Sequence, residues 1–297
     1  MTRLVHTRQA GSVLRGRMRL FEDGFLYAST TGGDSRSCRH SASLVLALTD
    51  AGLEIEVGGQ TQHVHAVAVR PSTPKRMRAC GIPYVCIDAS TNHPLYRAFA
   101  TLGDPGLQVL PREHFAPALS SLAAFTAGET SPRTSRLLYN RVFDLLRELM
   151  PDPAPVDPRI TRVIARLDED PSLGVAQLAT EVCVSRDRLS HLFTQEMGLP
   201  LRKYAQSLKI RAAARFFGKG LSLTQIAAAA GFSDSAHFSK IWAQAYGMSP
   251  AFYFTSGQVA VYPPANRPEG NVAGALSSRF RSRNAANNQD RMPTTKV

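Results

Sequence analysis

The chain has 297 residues, enough for about two domains that each bury a core. Lys and Arg total 35 against 23 Asp and Glu, and the net charge of +12 favours a polyanionic partner, either nucleic acid or an anionic membrane. No apolar run approaches the roughly 20 residues that a membrane span needs. The four cysteines form no CxxC pair and no zinc-finger spacing, which predicts a reduced, cytoplasmic protein.

Residues 1–110 are predicted to form a small β-barrel or sandwich. Leu53, Ile55 and Val57 alternate with two glutamates before Gly58-Gly59, which is typical of a half-buried strand ending in a turn. Similar short segments at 43–48, 63–69, 75–80 and 84–89 are separated by turn residues. We expect a sensor domain, because the mouth of a small barrel often holds a small ligand.

Histidines and cysteines in this region permit two kinds of site. His63 and His65 share one strand face, with His40 upstream, but no carboxylate follows them to complete a metal site. Cys80 and Cys86 could form a redox pair, although small buried hydrophobic side chains are the favoured interpretation. The prediction is no metal, no catalytic residue and no cofactor.

Lys75, Arg76 and Arg78 form a basic segment with two interpretations. They could line a pocket for an anionic ligand. They could also lie on an exposed edge strand, where basic residues discourage pairing with another chain. The interpretation as an exposed edge strand is favoured.

Residues 111–150 change to a helical period and are predicted to form a helical hairpin. Leu138, Val142, Leu145 and Leu149 recur at steps of four, three and four, a narrow seam that fits a dimer contact between helices. Neighbouring apolar residues widen the stripe, which fits packing onto the chain's own sheet. The two uses can coexist, so the seam is a hypothesis for homodimerisation.

A proline-rich linker is predicted at residues 151–158, with Pro at 151, 153, 155 and 158. These prolines prevent most of the segment from forming a helix and make it a stiff spacer. Asp157 and Pro158 have the residue types of an N-cap and a first helical position, so a new helix begins there.

Two similar segments follow the linker. Residues 175–182 and 223–230 are predicted as short Ala-rich helices, each followed by a tight turn and a second helix, at 186–197 and 234–246. This pattern is typical of a helix-turn-helix, whose second helix enters a DNA major groove. A basic helix at 201–217, about 26 Å long, is predicted to join the two units.

From Arg159 to about Phe254 the chain resembles the DNA-binding domain of AraC/XylS-family transcriptional regulators. The matching positions are Leu178-Ala179, Ser185, Leu189, Leu192-Phe193, Gly198, Tyr204, Ile226-Ala227, Gly231-Phe232-Ser233, Phe238-Ser239-Lys240, Tyr246-Gly247-Met248-Ser249-Pro250 and Tyr253. The resemblance implies two helix-turn-helix units bridged by one long helix. The first 150 residues more weakly resemble the cupin-like effector-binding domain of such proteins. The implied function is regulation of transcription, more often by activation through RNA polymerase, at double-stranded DNA in the bacterial nucleoid.

The outward polar residues of the second helices are the predicted DNA contacts. They are Arg186, Asp187, Ser190, His191, Thr194, Ser235, Ala236, Ser239 and Lys240, with Arg202 and Lys203 of the bridge as phosphate contacts. The resemblance places Asp187, Ser190, His191, Ser235, Ala236, Ser239 and Lys240 toward base edges or phosphates. Asp187 could accept from cytosine, or could stabilise the helix N-terminus. Lys209 and Phe254 stand where the family more often has Arg.

The predicted architecture is therefore α+β with two domains: an N-terminal small β-barrel (cupin-like) with following helices, and a C-terminal all-α double helix-turn-helix at 159–255. Residues 256–297 are predicted to be a disordered basic tail. Two alternatives to an effector-controlled regulator are a regulator controlled only by its abundance, and a cupin-type metalloenzyme fused to a DNA-binding module. A DNA-repair protein would need a cysteine cluster that the spacing of Cys38, Cys80 and Cys86 does not offer.

Overall fold

The structure is a computed structural model that describes residues 15–216 and 219–263. Its strands are β1 (Gly16–Leu20), β2 (Gly24–Ser29), β3 (Asp34–Ser37), β4 (Ala42–Ala47), β5 (Leu53–Val57), β6 (Gln60–Val64), β7 (Ala66–Val69), β8 (Lys75–Arg78), β9 (Tyr84–Ala89), β10 (Leu107–Val109) and β11 (Val259–Tyr262). One sheet has the order β10-β7-β4-β9-β2-β1-β11, and the other has the order β3-β8-β5-β6.

The two sheets of the N-terminal domain enclose an apolar core. Val45, Val67 and Cys86 of the larger sheet pack with Leu53 and Ile55 of the smaller one. Strand β5 alternates between buried and solvent-facing residues, as its sequence predicts. Strands β4, β7 and β9 are buried on both faces because helices cover the outer side of the larger sheet, which explains their continuous apolar character.

Helices that follow the strands supply this cover. They are α1 (Tyr96–Ala100), a 3-10 turn (Arg112–Phe115), α2 (Ala116–Ala127) and α3 (Pro132–Arg147). The Ser131 side chain caps α3 by accepting a hydrogen bond of 3.1 Å from the Thr134 backbone N–H.

The predicted dimer seam on α3 is wrong. Leu138, Val142 and Leu145 are buried within the chain, at 5% exposure or less, and Leu149 packs against the same core. The wide apolar stripe of α3 covers the chain's own sheet, so Leu138, Val142 and Leu145 have no surface to offer a partner and Leu149 is half-buried.

The C-terminal half is helical up to residue 254. Its helices are α4 (Pro158–Glu169), α5 (Val175–Glu181), α6 (Arg186–Met197), α7 (Leu201–Ala214), α8 (Leu223–Ala229), α9 (Ser235–Tyr246) and α10 (Pro250–Phe254). Helix α4 begins where the sequence predicts, since the Asp157 carboxylate accepts from the Arg159 backbone N–H at 2.8 Å. The α+β fold with an N-terminal β domain and a C-terminal double helix-turn-helix is confirmed. No described helix is long and apolar enough to cross a membrane.

The structure corrects two further expectations. Strand β8 pairs with β3 on one side and β5 on the other, so Lys75, Arg76 and Arg78 do not lie on an edge. The polar sequence of β3 has no pattern that predicts a strand, yet β3 pairs with β8 and covers the edge that β8 would otherwise expose.

The other correction concerns the tail. Residues 259–262 form β11, which pairs in parallel with β1, because alternate apolar residues there complete the core around β1. The rest of the predicted tail, from residue 264, lies outside the described residues.

Candidate DNA-binding surface

The first helix-turn-helix unit consists of α5 and α6. The Ser185 hydroxyl caps α6 by accepting from the Arg188 backbone N–H at 3.1 Å. In the preceding turn, Cys183 has a φ of 54°, a left-handed conformation in which a side chain is strained. The buried stripe of α6 consists of the predicted residues: Leu189, Leu192, Phe193 and Met197.

The second unit consists of α8 and α9, and its turn is built differently. Gly231 takes the left-handed conformation at a φ of 80°, as predicted. Ser222 and Gln225 form the predicted capping box, with the Gln225 N–H 3.2 Å from the Ser222 hydroxyl and the Ser222 N–H 2.9 Å from the Gln225 side-chain oxygen. Phe238, Trp242 and Ala245 are buried, whereas Ile241 is only half-buried.

Helix α7 bridges the units but is shorter than predicted. It ends at Ala214 rather than at residue 217, so its 14 residues span about 21 Å. The chain turns at Arg215 and Phe216, ahead of Gly220 with its φ of 66°. Arg211 contacts Asp168 at 3.3 Å, which removes one cation from the predicted basic surface, while Arg202 remains exposed and Lys203 half-exposed.

The predicted contact residues lie on the solvent side of both second helices. On α6 all five predicted residues are exposed: Arg186, Asp187, Ser190, His191 and Thr194. On α9, Ala236 and Lys240 are exposed, and Ser235 and Ser239 are half-buried. The first unit therefore presents the larger set of side chains able to distinguish bases, including the imidazole of His191.

Two α6 hydroxyls are engaged within their own helix. Ser190 donates to the Arg186 carbonyl at 2.9 Å, and Thr194 donates to the Ser190 carbonyl at 2.8 Å. A hydroxyl in this arrangement still has lone pairs with which it can accept from a base amino group. Asp187 lies in the first turn of α6, where a negative charge is favoured by the helix dipole.

The N-terminal domain holds the C-terminal end of α6. Arg97 of α1 donates from Nε to the Glu196 carbonyl at 3.1 Å and from Nη2 to the Glu196 carboxylate at 3.0 Å. Its Nη1 donates to the Ala154 carbonyl of the linker at 2.6 Å. At the helix end, a Cβ on Gly198 would lie 2.6 Å from the Cβ of Ala100, so the two domains touch closely there.

A second contact joins α9 and the residue after it to strands β2 and β3 of the β domain and to the residues that follow β3. The Cys38 backbone N–H donates to the Gln244 carbonyl at 2.9 Å, and a Cβ on Gly247 would lie 2.6 Å from the Arg36 carbonyl oxygen. The rings of Phe25 and Tyr246 are 6.0 Å apart, and the Arg39 guanidinium lies over both. Both contacts approach the helices away from their exposed polar faces.

These contacts between domains were not predicted. Arg97, Cys38 and Gly247 are isolated in the sequence, and no periodicity marks a residue that packs against a helix about 100 or more positions away. His40, a possible metal ligand from the sequence, instead lies 3.0 Å from the Gln206 side chain of α7. The His63 and His65 rings stack edge to face at 5.4 Å, and the described residues form no cluster of three or more metal-binding side chains.

The fold and this surface define a class of protein: a β-rich N-terminal domain joined to two helix-turn-helix units with exposed polar second helices. Comparison with known proteins points to the same class. A helix-turn-helix domain family matches residues 178–256.

Three relatives illustrate the similarity. The arabinose operon regulatory protein of Escherichia coli (strain K12) is 27% identical over 120 residues, which are 39% of this chain and 40% of that protein. The HTH-type transcriptional regulator ArgR of Pseudomonas aeruginosa is 30% identical over 97 residues, 31% of this chain and 29% of that protein. ToxT from Vibrio cholerae O395 has a similar fold at 14% identity, with a TM-score of 0.53 over 82% of this chain and 99% of that chain.

The C-terminal domain is thus a double helix-turn-helix domain of the AraC/XylS family, as the resemblance implies. The match spans less than half the length of these curated relatives. The likeness to ToxT extends the shared fold to the N-terminal domain.

Proposed function

We propose that the chain is a sequence-specific DNA-binding regulator of transcription rather than an enzyme. The observation that carries the proposal is the pair of helix-turn-helix units whose second helices, α6 and α9, leave their polar faces uncovered. In such units the second helix enters the major groove and its outward side chains reach base edges. The net charge of +12 favours the phosphate backbone as a partner.

The two units would have different tasks. Helix α6 carries Arg186, Asp187, Ser190, His191 and Thr194 on its exposed face, and we propose that it supplies most of the sequence preference. Helix α9 offers a methyl group from Ala236 and an ammonium from Lys240, which suits contact with thymine and with phosphate. Arg202 and Lys203 on the bridge would add phosphate contacts.

We further propose that a small-molecule effector binds the N-terminal domain and controls the DNA-binding domain. ToxT, which shares the fold at a TM-score of 0.51, has been solved with (E)-4-(8-methylnaphthalen-1-yl)but-3-enoic acid bound. The contacts of α1 with α6 and of the β domain with α9 provide a physical route from such a ligand to both units. A regulator controlled only by abundance is the second candidate.

We propose that the chain activates transcription through RNA polymerase, in the bacterial cytoplasm and at the nucleoid; of these, the activating role is supported by the name of one relative. The transcriptional activator NphR of Rhodococcus is 29% identical over 96 residues, 32% of this chain. A homodimer would need a surface other than the α3 seam, because three of its four side chains are buried and Leu149 is half-buried.

The test uses the salt dependence of DNA affinity. Removing one phosphate contact reduces the slope of log K against log salt by about one. Lys240→Ala should lower affinity for all sequences and reduce the slope by about one, while Arg141→Ala, which removes an exposed charge from α3, should change neither. Equal slopes for the wild type and Lys240→Ala would contradict the assignment of α9 to the DNA surface.

A further inference from the structure

Charged and hydroxyl side chains lie together inside the N-terminal domain, a group that we name the interior charge cluster: Arg39, Ser43, Lys75 and Asp88. The Arg39 Nη1 is 3.8 Å from the Asp88 carboxylate, and these side chains are only 13% and 2% exposed. Ser43 is paired with Asp88 across β4 and β9, so both side chains emerge on one face. Lys75, 8% exposed, comes from β8 of the opposite sheet and interacts electrostatically with Arg39 and Asp88.

The cluster carries an uncompensated positive charge. Burial lowers the pKa of Lys75 to about 8 and raises the pKa of Asp88 to about 6, so both groups are mainly charged at neutral pH. Two cations therefore face one anion. The other titratable groups around them are Cys38, Cys86, Tyr27, Tyr84, Tyr246 and Tyr253. Burial raises the pKa of each of these four tyrosines, and Asp88 is the carboxylate that acts on both Lys75 and Arg39.

Several donors in the cluster also lack an acceptor. Within residues 15–216 and 219–263, no hydrogen bond or ion pair reaches the Lys75 ammonium, and the buried Arg39 Nε and Ser43 hydroxyl have no partner. The Nη1 of Arg39 is already engaged, since it donates to the Cys86 sulfur at 3.0 Å and lies 3.8 Å from the Asp88 carboxylate. Lys75 is only 8% exposed. A cation held there without a hydrogen bond or ion pair is costly to the fold, so a structural role does not explain Lys75.

We propose that the interior charge cluster is the binding site for a monoanionic effector, whose carboxylate is held by Lys75, Arg39 Nε and Ser43. The proposal rests on the proposed function, because it assigns the effector its chemical class and its site. One negative charge balances the cluster, whereas a dianion such as sulfate would reverse its sign. A carboxylate has two acceptor oxygens, enough for the donors that lack partners.

The position of the site connects it to the DNA-binding domain. The Arg39 guanidinium carbon is 5.3 Å from the Phe25 ring centre and 5.5 Å from the ring centre of Tyr246, the last residue of α9. Tyr253 of α10 also acts electrostatically on Arg39. A carboxylate that reorients Arg39 would therefore change the contact that holds α9 against the N-terminal domain.

The test measures ligand-induced stabilisation of the full chain by thermal unfolding. Acetate, hexanoate and benzoate are each compared with their neutral amide, and sulfate serves as the dianion. At least one carboxylate should raise the Tm of the wild type more than its amide and more than sulfate at equal ionic strength. Lys75→Met should weaken that binding about tenfold or more, since it removes a charged hydrogen bond and an ion pair. Arg76→Met, on the same strand but ion-paired to Asp34 outside, should bind as the wild type does.

A second measurement separates binding from folding. Without ligand, Lys75→Met should have a Tm equal to or above that of the wild type, because the removed charge makes no hydrogen bond or ion pair within the described part of the chain and burial disfavours it more than Asp88 favours it. A lower Tm of Lys75→Met would assign Lys75 a structural role and overturn the proposal. The proposal would also be overturned if no carboxylate raised the Tm of the wild type more than its amide does, and if the carboxylates stabilised Lys75→Met as much as the wild type. A protein that binds DNA but no carboxylate refutes this inference alone. One that binds carboxylate but no DNA refutes the proposed function alone.

Discussion

Replacement of Arg97 by alanine tests whether the two domains are held together as the structure shows. Arg97 is the side chain of α1 that donates to the Glu196 carboxylate and carbonyl on α6 and to the Ala154 carbonyl of the linker. Alanine would remove three charge-assisted hydrogen bonds at once. It would also leave the Glu196 carboxylate, 18% exposed, without its only ion pair among the described residues.

The size of the effect follows from this burial. Hydrogen bonds to charged groups contribute about 1.5–3 kcal/mol, and removing one partner of a fully buried ion pair costs about 3–5 kcal/mol. The Arg97–Glu196 pair is mostly but not fully buried, and its bonds are not additive. We therefore expect Arg97→Ala to lower the free energy of unfolding by about 2–3 kcal/mol.

Urea unfolding of the full chain measures this decrease, with Arg76→Ala as the matched control. Arg76 also makes paired hydrogen bonds to a carboxylate, that of Asp34, but both side chains are more open to solvent and lie within one sheet. Exposed pairs contribute little. Equal decreases in the two variants would show that the contact between α1 and α6 does not hold the domains together.

Three further predictions concern stability. Because the pKa of Lys75 is lowered from 10.5 to about 8, unfolding takes up a proton between these pH values. The free energy of unfolding of the wild type should therefore rise by about 3 kcal/mol relative to that of Lys75→Met as the pH rises through this interval. Parallel profiles of unfolding free energy against pH would contradict this. Cys183→Gly should raise the free energy of unfolding by about 1 kcal/mol, since Cys183 is exposed at a φ of 54°; a decrease in urea unfolding would refute the strain. Val259→Ala should cost about 2 kcal/mol and Val261→Ala less, because only Val259 is buried beside β1; equal effects would exclude the pairing of β11.

Local signals explain why the DNA-binding half could be predicted from the sequence. The capping box of Ser222 and Gln225 and the left-handed Gly231 depend on residues within a few positions of each other. The same is true of the Ser185 cap and of the exposed face of α6. Such features are set by backbone geometry, which short sequence patterns encode.

Long-range pairing explains what the sequence did not predict. An exposed edge was expected for Lys75 because its partner β3, with the sequence Asp-Ser-Arg-Ser, has no strand pattern. The α3 seam was ambiguous because periodicity identifies an apolar face without identifying what covers it. The same limit applies to β11, whose role depends on its pairing with β1 at the other end of the described chain.

Selection of binding sites from random DNA, followed by footprinting on the selected sequence, tests the central claim most directly. The wild type should protect two major-groove segments on one face of the duplex, about one helical turn or 10 bp apart. His191→Ala should select a sequence altered in one segment only, while Lys240→Ala should keep the selected sequence and bind it more weakly. A single protected segment, or an unchanged preference in His191→Ala together with unchanged affinity in Lys240→Ala, would contradict the account of α6 and α9 as the two DNA-contacting helices.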